Sequence, residues 1–165
     1  MADQEDFAYA ELLPLLRDQY STTTFRKLTA DGVSTVDGPG GRTFLEVDSE
    51  AIRLLTATAM HDISHLLRTS HLEQLAAILD DTEASANDRF VASELLQNAC
   101  IAAGGVLPSC QDTGTAIVSA RKGELVLTGD DDREAISRGI YDTFLTSNLR
   151  YSQLARLDMF TERNT

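Results

Sequence analysis

The middle of the chain, residues 48–105, carries the periodicity of helices and is closed by the glycine pair Gly104-Gly105. Apolar residues recur there every three or four positions, as on the buried face of a helix. They include Ile52, Leu55, Ala59, Ile63, Leu66, Leu72, Leu75, Leu79, Phe90, Val91, Leu95 and Ala99. Possible N-caps are Asp48 or Ser49, Ser70 (with Glu73 in a capping-box pattern) and Ser85. The pattern predicts three successive helices. Because strands and helices do not alternate along the chain, the sequence gives no support for a parallel sheet.

Short strand-forming segments lie on both sides of these helices. Residues 25–28, 33–36 and 44–47, joined by turn sequences at 31–32 and 38–41, predict an antiparallel meander near 25–47. Residues 115–120 and 125–128 predict a hairpin near 115–128. Further helices are predicted over residues 7–17, interrupted at Pro14, and after the acidic run 130–132. The predicted fold class is therefore α+β, mainly helical, with small antiparallel pieces.

Composition limits the class of protein. A chain of 165 residues suits one domain, and we expect residues 1–165 to form it. With 14 basic and 26 acidic residues, the net charge of −12 disfavours nucleic acid and anionic membranes as partners. The sequence has no apolar stretch long enough to span a bilayer, and its acidic start does not resemble a signal peptide. Two cysteines do not make a disulfide scaffold, so a cytoplasmic location is expected.

Residues 108–116 form the segment with the most chemistry, a glycine-containing stretch with no helical period. Cys110, Gln111 and Asp112 stand side by side there. A thiolate can bind a soft metal or attack an electrophile, a carboxylate can move protons, and an amide can both donate and accept hydrogen bonds. From the residues alone, a small buried cysteine in a turn is an equally good interpretation. Neither a paired-cysteine motif nor a glycine-rich phosphate loop is present.

Three other features have less functional meaning. His61 and His65 have the spacing of two zinc ligands on a helix, but Asp62 replaces the glutamate of the usual motif. We therefore interpret them as surface or capping histidines. The acidic run at 130–132 lacks the spacing of a calcium loop and is interpreted as a solvated helix start. Cys100, between apolar neighbours, is expected in the core.

The chain resembles the class I fumarate hydratases, the iron–sulfur fumarases, in three ordered blocks. They are AAGGVLPSCQDTGTA at residues 102–116, SRGIY at 137–141, and NLRYSQ at 148–153 running on to ERNT at 162–165. The resemblance covers nearly the whole chain. It implies a hydro-lyase that adds water to fumarate to give (S)-malate. In this family three cysteines hold a [4Fe–4S] cluster whose fourth iron, a Lewis acid, stays open for the substrate.

The resemblance also implies roles for particular residues. Cys110 matches the first cluster ligand, and Gln111 and Asp112 match positions that contact the substrate. Asp112 also matches a proton-transfer residue. Arg150 matches a carboxylate-binding arginine, and a guanidinium suits that task because it can grip a carboxylate with two hydrogen bonds. The implied partners are a small dicarboxylate and, in the full-length enzyme, a second subunit of a homodimer.

The family's other two cysteine ligands lie beyond the position that matches Thr165. We therefore expect this chain to be the N-terminal part of the enzyme, lacking the intact cluster and inactive alone. Two alternatives stay open. L-tartrate dehydratases and methylfumarate (mesaconate) hydratases share the cluster signature and act on related substrates. The chain could instead be a non-catalytic assembly module with the same fold.

Overall fold

The computed structural model describes residues 25–109, 116–129, 131–149 and 154–164. In this part of the chain, four helices carry most of the structure: α1 (Ser49–His65), α2 (Thr69–Asp80), α3 (Ala86–Ala102) and α4 (Asp132–Thr146). The strands are short: β1 (Val33–Asp37), β2 (Thr43–Val47), β3 (Val126–Thr128), β4 (Leu154–Arg156) and β5 (Glu162–Asn164). The predicted α+β class is confirmed. The helix predicted over residues 7–17 lies outside the described residues.

Strands β1 and β2 form the antiparallel pair that the sequence predicted. Val33 pairs with Val47 and Asp37 with Thr43, and a single turn of 3₁₀-helix joins the strands. Gly40 in this turn has a φ of +73°, a left-handed conformation that side chains disfavour. The predicted third strand of the meander, residues 25–28, is wrong, since these residues form no strand and Phe25 is exposed. The outer edge of β1 therefore has no neighbour in the described sheet.

The predicted hairpin near 115–128 is also wrong. Residues 116–123 form no strand, and only Val126–Thr128 is extended. This strand, β3, pairs with β2 in parallel, with Leu45 opposite Val126 and Val47 opposite Thr128. The physical reason is that the free edge of β2 offers β3 a hydrogen-bonding partner, including a 2.8 Å bond from Leu45 N–H to the Leu125 carbonyl. The sheet is thus mixed, in the order β1-β2-β3.

Helix caps follow the sequence in part. At α3 the Ser85 hydroxyl accepts from Asp88 N–H, and the Asp88 carboxylate accepts from Ser85 N–H, a complete capping box. At α4 the Asp131 side chain caps the helix by accepting from Arg133 N–H. The predicted capping box at Ser70 is wrong, because the N-cap of α2 is Arg68, two residues earlier, and no side chain caps the helix.

The core of the described residues is built from small side chains. The buried apolar residues are Ala92, Ala99, Ala102, Ala135 and Leu149. Helices α1 and α4 pack most closely, at Gly139, where an added Cβ would lie 2.6 Å from the Arg53 carbonyl oxygen. Near this crossing, Thr143 donates to the carbonyls of Ala57 (3.2 Å) and Gly139 (2.9 Å). Close backbone approach therefore fixes the α1–α4 pair.

After α4, β4 and β5 form a small antiparallel pair. Leu154 lies opposite Asn164, and Arg156 lies opposite Glu162. Between them the Asp158 carboxylate accepts hydrogen bonds from the N–H groups of Phe160 and Thr161. These bonds to the charged form hold the pKa of Asp158 below its usual range.

Candidate functional site

The four residues with predicted site roles are Cys110, Gln111, Asp112 and Arg150, and all of them lie outside the described residues. The structure does describe the residues that come directly before them, Ser109 and Leu149. The contacts that hold Ser109 and Leu149 can therefore be described, and we call them the frame of the candidate site. The roles of the four residues stay predictions.

The C-terminal end of α1 holds the first part of this frame. The last carbonyls of a helix have no partner within the helix. The carbonyl of Ser64 accepts two hydrogen bonds from Ser109, one from its N–H at 2.9 Å and one from its hydroxyl at 3.0 Å. Ser64 is itself buried, and its own hydroxyl donates to the Met60 carbonyl at 2.8 Å. The residue before Cys110 is thus fixed to the end of a packed helix.

The end of α4 holds the second part. Leu149 is buried, and its N–H donates to the Ser147 carbonyl at 2.8 Å. The neighbouring Asn148 side chain donates to the Val106 carbonyl at 3.0 Å. This bond ties the segment that leads to Arg150 to the segment that leads to Cys110. Two residues far apart in sequence therefore follow chain segments that are held together.

Two histidines lie at the same end of α1. The rings of His61 and His65 stack with centroids 4.2 Å apart and an angle of 22° between their planes. His65 Nδ1 lies 2.8 Å from the His61 carbonyl oxygen. His65 is only 2% exposed, and its Nε2 is buried with no hydrogen-bond partner among the described residues. The burial of His65 contradicts its interpretation as a surface histidine, whereas its contact with the His61 carbonyl fits the capping alternative.

The burial of His65 had a weak signal in the sequence. The four-residue spacing marked the pair, but the absence of a zinc motif argued for an exposed position. The segment that follows α3 approaches this end of α1, and an added Cβ at Gly105 would lie 3.9 Å from His61 Cε1. Because Gly105 has a φ of +72°, the chain can turn there in a way that other residues disfavour. Such a contact between distant segments has no local sequence pattern.

An open cavity of about 300 Å³ adjoins His61 between α1 and α4. Its lining includes hydroxyl groups, one imidazole and one carboxylate. The lining residues are Ala57, Thr58, His61, Asp142, Thr143, Thr146 and Ser147. Arg26 reaches the same end of α1, where it pairs with Asp62 at 2.8 Å.

The described residues do not make a metal centre on their own. Within residues 25–109, 116–129, 131–149 and 154–164, no three histidine, cysteine or acidic side chains could hold an ion together. Cys100 is exposed on α3, which corrects its expected place in the core. The reason is rotation along the helix: Ala92, Ala99 and Ala102 occupy the buried face, and the next residue after Ala99 turns away. One cysteine is too few for an iron–sulfur cluster.

The acidic run was interpreted as a helix start, and its two described residues, Asp131 and Asp132, do lie at the start of α4. Asp131 bonds Arg133, and Asp132 bonds Lys122 at 2.8 Å. Hydrogen bonds from Arg133 hold the pKa of Asp131 below its usual range. Those from Lys122 and Thr128 do the same for the pKa of Asp132. These carboxylates form ion pairs and interact favourably with the positive end of the helix dipole.

No described helix has the length and apolar content needed to cross a lipid bilayer.

Comparison with known proteins gives one family. The model of the family described as "Fumarate hydratase (Fumerase)" matches residues 53–165. A protein of Escherichia coli K12 named "Fumarate hydratase class I, anaerobic" is 50% identical over 159 residues, which are 96% of this chain and 28% of that protein. Leishmania major "Fumarate hydratase 2" is 54% identical over 125 residues, 76% of this chain and 22% of that protein. Leishmania major "Fumarate hydratase 1, mitochondrial" is 50% identical over 147 residues, which are 88% of this chain and 27% of that protein. The chain thus spans less than a third of the length of these relatives.

Proposed function

Because this chain belongs to the fumarate hydratase (Fumerase) family, we propose that it is the N-terminal part of a class I fumarate hydratase, an enzyme that interconverts fumarate and (S)-malate. The observation that carries the proposal is the 50% identity to an Escherichia coli class I enzyme over 96% of the chain. Residues 1–165 act as one unit of a catalytic domain that the rest of the enzyme completes. The proposed location is the cytoplasm.

We assign four roles on this basis. Cys110 is the one ligand that this chain supplies to a [4Fe–4S] cluster, and the other ligands come from outside the chain. Arg150 binds a substrate carboxylate, for which its forked N–H donors are suited. Gln111 hydrogen-bonds the substrate, and Asp112 both contacts it and moves the proton that hydration requires. The described residues hold no set of metal ligands.

The frame supports this assignment by its geometry. The Ser64–Ser109 and Asn148–Val106 bonds hold two chain segments at one end of the α1–α4 pair. One segment directly precedes Cys110, and the other directly precedes Arg150. A carboxylate-binding arginine and a cluster ligand must act on the same small molecule, so they need such a common anchor. Reacting groups held within a fraction of an ångström gain much of their rate from this positioning.

The test is turnover of fumarate by the full-length enzyme after anaerobic reconstitution with iron and sulfide. Replacing Cys110 with Ser should abolish both the cluster's visible absorbance and the activity. Replacing Cys100 with Ser is the matched control, because Cys100 is exposed and should change neither. Wild-type turnover in the Cys110 variant would contradict the assignment. The 165-residue chain alone should show no turnover.

Substrate choice needs a separate comparison. Mesaconate is fumarate with an added methyl group, and tartrate is malate with an added hydroxyl group. Side-by-side kcat/KM values for fumarate, mesaconate and tartrate would rank the three substrates. We expect fumarate to rank first. A higher value for mesaconate or tartrate would move the enzyme to one of the related hydro-lyases. Cluster-free full-length protein that binds a partner chain but turns over none of the three would favour an assembly role.

Arg150 gives a second check on the proposed site. A lysine keeps the charge but loses the paired donors. We expect Arg150→Lys to raise KM for fumarate by about tenfold, a loss of roughly 1.4 kcal/mol in substrate binding. An unchanged KM would remove Arg150 from the site. Arg156→Lys is the control, because Arg156 does not match the arginine to which the family resemblance gives a role. This variant should leave KM for fumarate unchanged.

A further inference from the structure

His65 is a buried imidazole whose two nitrogens are in different situations. Its Nδ1 lies 2.8 Å from the His61 carbonyl oxygen, which can only accept a hydrogen bond. Nδ1 must therefore carry the proton, and the Nε2 of the neutral ring keeps a lone pair. The stacked ring of His61 covers His65 and adds to its fixed orientation.

The lone pair on Nε2 is unpartnered within the described residues, although the residue is 2% exposed. Leaving a buried acceptor without a donor costs about 1–3 kcal/mol, so buried polar atoms are nearly always satisfied. An apolar side chain would avoid this cost at a helix end. A histidine locked by its other nitrogen instead presents an acceptor in a fixed direction.

The position of His65 connects this acceptor to the proposed site. The residue before it, Ser64, holds Ser109 through two hydrogen bonds, and Ser109 directly precedes Cys110. We propose that His65 is a positioning residue of the proposed fumarate hydratase site, whose Nε2 accepts a hydrogen bond from an N–H or O–H of the enzyme's own chain. This bond and the Ser64–Ser109 pair together fix the chain at Ser109, the residue before Cys110. The inference rests on the proposed function.

Two substitutions separate the nitrogens, because glutamine places its amide near the level of Nε2 and asparagine near the level of Nδ1. In the full-length enzyme, His65→Asn should lower kcat by about tenfold with little change in KM, the size of effect expected from one lost buried hydrogen bond. His65→Gln should retain most of the activity. If His65 only caps α1 through Nδ1, the order is reversed, and that result overturns the proposal, as does wild-type kcat in both variants.

The matched controls are the same two substitutions at His71, an exposed histidine on α2. They should leave kcat and KM unchanged. A loss of kcat shared equally by both His65 variants would report on folding, and a spectroscopic measurement then decides.

That measurement is magic-angle-spinning NMR of the full-length enzyme labelled with ¹⁵N-histidine, with His65 assigned by its absence in His65→Gln. The expected spectrum has a protonated Nδ1 and an unprotonated Nε2 shifted by an accepted hydrogen bond, both with and without malate. A protonated Nε2, a free lone pair, or a bond that forms only with malate would each overturn the proposal. Because this readout needs no turnover, a failure here with active wild-type enzyme leaves the proposed function standing, whereas inactive wild-type enzyme refutes that function alone.

Discussion

The two helix pairs of this chain are packed in different ways. In α1–α4, the buried residues Ala135, Gly139 and Thr143 recur every four positions along one face, and the backbones nearly touch. In α2–α3, α2 buries none of its residues and α3 buries only Ala92, Ala99 and Ala102. The pair that carries the site anchors is thus the one with the tightest backbone contact. Close packing of small residues fixes the relative position of two helices more precisely than a loose apolar face.

The largest effect is expected at the closest contact of α1 and α4. In Gly139→Ala the new Cβ would lie 2.6 Å from the Arg53 carbonyl and 3.0 Å from the Ala57 nitrogen, so backbone must move. Overpacking of this kind costs about 1–3 kcal/mol of folding free energy. The midpoint of thermal unfolding of the full-length enzyme should fall, and kcat should fall with it because the anchors shift. Gly129→Ala, where an added Cβ meets no atom within 4 Å, is the control. Equal midpoints for the two variants would show that the α1–α4 contact is not tight.

A smaller effect is expected from the hydroxyl that joins the same two helices. Thr143→Val keeps the shape of the side chain but removes the donor to the Ala57 and Gly139 carbonyls. The loss should be about 0.5–1.5 kcal/mol in the free energy of unfolding, measured by denaturant titration. Thr146→Val removes an equivalent bond to the Asp142 carbonyl on an exposed surface and should change little. A loss at position 146 as large as that at 143 would contradict the difference in burial.

The contribution of the α3 capping box to the thermal stability of the α2–α3 pair should depend on pH. Hydrogen bonds from the Ser85 hydroxyl and N–H hold the pKa of Asp88 below its ordinary value of 3.8. A lowered pKa stabilises the fold above the unfolded value, and this stabilisation is lost as pH falls through the folded pKa. Wild type should therefore melt higher than Ser85→Ala at neutral pH, and the gap should narrow as pH drops below 3.8. Glu73→Gln, at an exposed carboxylate of α2, is the control for charge. A gap that is constant with pH would exclude Asp88 as its source.

The smallest effect is expected from the ion pair across α1 and α4. Arg53 Nε donates to Asp142 at 2.6 Å, and both side chains are about one-third exposed. Hydrogen bonding to Asp142, with a lesser contribution from Glu50, raises the pKa of Arg53. A double-mutant cycle with Arg53→Gln and Asp142→Asn should give a small favourable coupling that salt weakens. The more exposed pair Arg138–Glu134 should give none. Coupling at 53–142 that resists high salt would show that this pair is shielded from solvent.

The sequence predicted the helices well because their periodicity is a local property. Ser85 as the start of α3 and the turn before β2 were readable for the same reason. The strand that pairs with β3 could not be predicted from the sequence, because three strand-forming residues do not specify which sheet edge they join. The burial of His65 and the exposure of Cys100 likewise depend on how distant segments pack.

The candidate site divides in the same way. Residue types alone marked the segment around Cys110, Gln111 and Asp112, and a family resemblance gave them roles. The anchors, Ser64 to Ser109 and Asn148 to Val106, were not predicted. A carbonyl at a helix end can accept from any donor that reaches it, so the sequence around Ser64 does not reveal its partner.

The parallel pairing of β2 with β3 also bears on how the chain is made. Strand β2 can pair with β1 as soon as both leave the ribosome, because only a short turn separates them. Its other edge stays open until Thr128 has emerged, after α1, α2 and α3 have been synthesised. Closing such a long loop is slow relative to forming local helices. During synthesis, the open edge of β2 is therefore exposed to pairing with another chain, in addition to the outer edge of β1.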